Sequence, residues 1–193
     1  MDMTHARNSN EIRWYAGIPV GSNPLILLDF FTIMVISAVL CWGILLLAQF
    51  YFDGHVALPH LYGAAVIAFD LCLLFSVFYV IVSFIVMRNG YVARYRLDMT
   101  GAHCENIKCR PKATVPGFFH FCCYPVAEPQ TYSRCVEKHV SWADVSSFAE
   151  LRSLRVLILK GRRGTLMRIY CPDSQKYETV LTFLNDKIAS ERS

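Results

Sequence analysis

The chain has 193 residues, 54% of them hydrophobic and 18% charged, with a formal net charge of +4. A charged share below the roughly 25% usual in soluble domains excludes a large soluble enzyme, a disordered chain and a secreted disulfide-stapled mini-protein. The charge is also uneven: two basic residues stand against five acidic ones before Arg88, and 17 against 10 from Arg88 onward.

Residues 1–23 read as a cytoplasmic N-terminal segment. Residues 24–87 read as a two-span transmembrane hairpin. The first apolar run is Pro24 to Phe52 and the second is Leu61 to Met87. Each exceeds the roughly 20 residues needed to cross a hydrocarbon core. The connection FDGHVALPH is short enough to make the helices antiparallel neighbours. The first run is too long for a signal peptide, and no small-residue cleavage pattern follows it. No Lys or Arg occurs between Arg13 and Arg88. The bias of basic residues toward the outer ends of the pair therefore predicts both termini on the cytoplasmic side of an inner or cytoplasmic membrane.

Asp70 interrupts the second span between AVIAF and LCLLF. A carboxylate at such depth is costly and marks a functional position by default. Depth matching across a symmetric hairpin brings Trp42 to its level, with the indole N–H as donor. The readings left open are a polar contact to a partner helix, a hydrogen bond within the hairpin, an interfacial position, and a proton or ion path. Gly63, Ala64, Ala65 and Ala68 give the second helix a small-residue face suited to close packing.

Residues 88–193 read as a cytoplasmic domain. Arg94–Met99 alternates as a strand, Thr100–Gly101 is a turn, and Ala102–Ile107 returns. Residues 109–139 read as an irregular Cys-rich insertion, whose aromatic patch Phe118, Phe119, Phe121 and Tyr124 is expected to face a partner. WADVSSFAEL follows as a bent strand. Ser153–Lys160 and Thr165–Cys171 flank the tight turn GRRG as a β-hairpin. The chain closes with a helix over Ser174–Ser190, capped by Asp173 or Ser174 and apolar along Tyr177, Val180, Leu181, Leu184 and Ile188.

Strands first and one amphipathic helix last suggest an antiparallel sheet plugged by that helix, an α+β membrane protein as a whole. The segments YRLDMTGAHCEN, WADVSSF, LRVLILKGRRGTLMRIY and YETVLTFLNDKI resemble the opening hairpin, middle strand, later hairpin and closing helix of a pleckstrin-homology-like domain, of the bacterial type carried behind transmembrane hairpins. The resemblance implies binding of lipid headgroups, peptides or partner subunits rather than catalysis. It departs at Met99–Thr100–Gly101, the turn corresponding to the headgroup-binding loop, which is not basic.

Cys104, Cys109, Cys135 and His139 offer one arrangement of zinc ligands, although Cys104-x4-Cys109 is wider than usual for a structural site. The competing reading takes the cysteines as small buried apolar groups in a reducing compartment. No dinucleotide, phosphate-loop, zinc-protease or nucleophile-elbow motif occurs, and no cofactor is implied. Arg88, Arg94, Arg96, Arg162 and Arg163 are candidates for contact with anionic lipid. Membrane lipids and other membrane protein subunits are the expected partners; nucleic acid is not. These features favour a noncatalytic accessory or scaffold subunit of a membrane complex. The alternatives are a stand-alone tethered lipid- or peptide-binding module, or a proton- or ion-path component using Asp70.

Overall fold

The computed structural model describes residues 11–55, 57–108, 120–128 and 133–191. The chain divides into two compact units, Val20–Asn89 and the remainder, which joins the chain up to Pro19 with Gly90–Ser193.

The first unit is a helical hairpin. Helix α1 spans Pro24–Asp53. Helix α2 spans Leu58–Val80 and continues as a wider π-helical segment over Ile81–Val86. Both are long and apolar enough to cross a membrane. Asn23 starts α1 by accepting a hydrogen bond from the Leu25 N–H, and Pro24 occupies the first turn, where a missing N–H costs nothing. Gly54 ends the helix in the left-handed region at φ 70°. Ala64, Ala68 and Met34 are buried in the hairpin; of the other two small residues expected on that face, Ala65 is exposed and Gly63 has open space beside it.

The ends of the hairpin are latched. Asn89 accepts from the Gly21 N–H at 2.7 Å and donates to Ser22 Oγ at 2.9 Å. Asn89 adopts φ 54°, which Asn tolerates better than most residues, and its own N–H reaches the Ser83 carbonyl. Tyr79 donates to the Val20 carbonyl at 2.8 Å, and its ring stacks on Phe30 at 4.1 Å.

The second unit holds two antiparallel sheets and a helix. Strands β1 (Ile12–Ile18), β2 (Tyr91–Leu97), β3 (Gly101–Lys108), β4 (Tyr124–Pro125) and β5 (Ser133–Ser141) form the order β4-β1-β2-β3-β5. The long strands β1, β2, β3 and β5 are a meander. Strands β6 (Ser147–Leu151), β7 (Val156–Gly161) and β8 (Gly164–Tyr170) form a second meander, followed by helix α3 over Ser174–Glu191.

Two differences from the sequence reading matter. The segment before the two apolar helices contributes β1, so RYRLDM belongs to the second strand of the sheet and not to its first. β5 begins at Ser133, inside the stretch expected to be irregular. Short Trp142–Asp144 and Arg152–Leu154 turns flank β6 and account for the bend expected there.

Trp14 and Tyr95, opposite each other on β1 and β2, stack at 5.3 Å. Each also bonds to β8: the Trp14 indole donates to the Tyr170 carbonyl and the Tyr95 hydroxyl to the Arg168 carbonyl. The core includes Ile18, Leu97, Leu157, Leu159 and Ile169. Helix α3 buries Tyr177, Val180, Leu181 and Leu184, four of the five positions on its expected apolar face. Asp173 caps it, accepting from the Lys176 N–H at 2.7 Å.

Candidate functional site

Side chains alternate along a strand, so strand register decides which residues share a face. Arg13, Arg96, His103 and His139 form one row across β1, β2, β3 and β5. Tyr15, Arg94, Glu105 and Glu137 form the next row on the same face. This is a lattice of opposite charges. Glu11 grips Arg13 with both oxygens at 2.6 Å and lies 3.6 Å from Arg96. Arg96 also faces Asp98 at 3.4 Å, and Arg94 faces Glu105 at 3.5 Å.

His103 sits at the centre of the first row, 8% exposed. Its Nε2 lies 3.1 Å from Asp98, its Nδ1 4.0 Å from Glu137, and Arg96 Nη2 approaches both ring nitrogens. The His139 ring lies 4.3 Å away, centroid to centroid. Burial holds the imidazole below its ordinary pKa, Arg96 adds to the effect, and Asp98 opposes it. Burial pushes Asp98 upward, but hydrogen bonds from the Thr100 side chain and from the Thr100 and Gly101 N–H groups outweigh it, so Asp98 stays below its usual value. The lattice therefore sets an imidazole whose protonation is disfavoured between the Arg96 guanidinium and the Asp98 carboxylate.

Arg94 and Arg96, candidates for lipid contact, spend their charge inside this lattice. Their side chains are 14% and 34% exposed. Arg88, Arg162 and Arg163 are exposed.

The proposed zinc set does not converge. Cys104 pairs with Lys138 while His139 pairs with His103, so Cys104 and His139 project from opposite faces of the sheet. Cys109 and the side chain of Cys135 lie outside the described residues. Among the described residues, no group of three or more His, Cys, Asp or Glu is arranged to hold a metal ion. Burial pushes the Cys104 thiol up, and raises Cys123 to about 11 and Cys171 to about 12. Cys123 donates to the Cys171 carbonyl. Thiols held this way supply little thiolate at neutral pH, so they pack as apolar groups.

Of the aromatic patch, Phe118 and Phe119 lie outside the described residues. Phe121 is 61% exposed. Tyr124, expected to face a partner, is instead buried: its ring covers Gly17, its register partner, and its hydroxyl points to Gly90. Gly17 admits the ring because it has no side chain.

In the hairpin, Trp42 and Asp70 are not brought together. The Trp42 indole donates to the Leu61 carbonyl at 3.3 Å. The Cys72 thiol meets the Met34 carbonyl. Antiparallel neighbours run in opposite directions, so that contact puts Asp70 level with the turn around Ile36. The symmetric depth match fails because α2 starts about a turn below the top of α1. Asp70 is exposed, and among the described residues it makes no hydrogen bond or ion pair. Sequence reasoning missed the roles of Asp98 and Glu105 in the sheet lattice and of Asn89 at the hairpin latch. The Asn89–Gly90 dipeptide is a breaker signal that marked the latter.

Comparison with protein families, with curated proteins and with solved structures finds no match to this chain.

Proposed function

We propose that the protein is a noncatalytic accessory or scaffold subunit of a larger membrane complex, anchored by its hairpin and docking through a pleckstrin-homology-like sheet domain. The observation that carries this reading is the point of insertion. The hairpin leaves the sheet after Ile18 and returns at Tyr91, and these two residues are direct register partners. The anchor is thus inserted between two paired strands and connected to the sheet domain at both of its ends, which supports a domain whose place is at the membrane.

A meander of four long strands, a meander of three, and a closing helix agree with the pleckstrin-homology-like class. Basic residues cluster at the sheet side of both spans, Arg13 before and Arg88 after, and the Gly54–Ala57 turn has none. This supports a sheet domain on the cytoplasmic side.

The exposed pair Arg162–Arg163 at the β7–β8 tip favours a second reading, a tethered module that binds anionic lipid. Native mass spectrometry of the protein, gently extracted from its own membranes, separates the two. A defined heteromer is the expected result. A monomer or homo-oligomer carrying lipid overturns the accessory reading in favour of the second.

A further inference from the structure

We infer that the outward face of α2 around Asp70 receives a membrane-spanning helix of a different protein, one that carries a basic side chain at mid-span. The inference rests on the accessory-subunit reading and names the kind of partner.

The hairpin's own contacts use one side of α2. Ala64 and Ala68 are buried there, Cys72 meets Met34, and Tyr79 stacks on Phe30. At 100° per residue, Asp70 falls on the opposite side, in a stripe with Val66, Ile67, Leu73 and Val77, all exposed. Asp70 lies 12 residues from Leu58 and 16 from Val86, or roughly 18 and 24 Å at 1.5 Å per residue. That is the middle of the span, where water does not solvate a carboxylate and snorkelling over such a distance is beyond a two-carbon side chain.

The chain cannot supply the missing cation. Pro24–Met87 contains no Lys or Arg, and His55 and His60 belong to the turn end. The Trp42 indole is already engaged by Leu61. A second copy fares no better, because two-fold pairing along this stripe sets one carboxylate against another. Charge complementarity therefore selects a foreign helix with Lys or Arg at the matching depth. Apolar side chains flanking Asp70 would exclude lipid and strengthen the ion pair in a low-dielectric setting.

The test places a photo-crosslinking amino acid at Leu73 of the full-length chain in its native membranes, and measures the complex by native mass spectrometry for wild type, Asp70→Asn and Asp70→Leu. Asp70→Leu removes a membrane-insertion cost, so a loss of assembly in that variant does not come from failed insertion. The expected result is a crosslink to a chain with a basic residue in its span, and at least a tenfold loss of that chain from both variants. Asp70→Lys combined with Asp in place of the partner's basic residue should restore assembly. A crosslink only to a second copy, or only to lipid, overturns the inference. So does a heteromer unchanged in both variants, and in that case the accessory reading survives. Absence of any heteromer in the wild type overturns both.

Discussion

Gly101 begins β3 where the backbone of β5 comes close: a Cβ there would collide with the Val140 carbonyl oxygen. Gly101→Ala should therefore destabilise the sheet domain by about 1–3 kcal/mol, as overpacking generally does, and chemical denaturation followed by tryptophan fluorescence would measure it. The residue was legible as a turn signal, but its closest constraint is a strand 39 positions later, which no local pattern reveals. The same non-locality hid the lattice around His103. Its partners Arg96 and His139 meet it only through strand register. His103 also makes stability depend on pH. Above its ordinary pKa of about 6.5 the imidazole is neutral in both folded and unfolded chains. As pH falls through that value the unfolded chain takes the proton first, so stability declines, and the loss levels off below the lowered folded value. Glu11 and Asp98, also held below their usual values, act near pH 4 and lower. His103→Gln should flatten the decline in unfolding midpoint as pH falls below about 6.5. Parallel curves for the two proteins would refute the assignment.

At the scale of elements, long periodic signals were readable and short non-local ones were not. The two long apolar helices announced themselves by length and apolarity, and α3 by an apolar stripe that the structure buries almost throughout. The β7–β8 hairpin needed only its turn and two alternating flanks. β1 is different. IRWYAGI is seven residues long, and its main neighbour lies about 80 residues further along the chain, beyond the hairpin. Charge at its start and glycine near its end weaken the local strand signal. β5 was obscured by the proline- and cysteine-rich stretch leading into it. The helices allow direct checks. Leu184→Ala should cost about 2–5 kcal/mol, since Leu184 is fully buried, whereas Asp173→Ala should cost about 1 kcal/mol by removing the cap. The contrast, read from thermal unfolding of the two variants side by side, tests whether packing rather than initiation holds α3 in place. Similar shifts for both would argue against it.

For the molecule as a whole, the register partners Ile18 and Tyr91 invite a shortcut. Replacing Pro19–Gly90 by an Asn-Gly turn would join β1 to β2 as a tight hairpin. The product should be a soluble, β-rich monomer with one cooperative unfolding transition. Removing β1 as well should expose Tyr95 and Leu97 and leave an aggregating chain. If both variants were equally well folded, β1 would be a dispensable addition to the sheet. Circular dichroism and size-exclusion chromatography decide this.

The insertion of the hairpin also sets a schedule for synthesis. β1 leaves the ribosome first, yet the strand that pairs with it follows only after the whole hairpin. At about 5–20 residues per second that interval lasts roughly 4–15 s. Throughout it β1 waits with an open edge and an unstacked Trp14, a period when a chaperone or a neighbouring nascent strand competes for it. If the hairpin crosses the bilayer, β2 emerges beside β1 only when both helices have been threaded with the correct orientation. A chain with one helix left out strands its two halves on opposite sides. The sheet could not then close, because β1 would be cut off from the strand that pairs with it along its whole length.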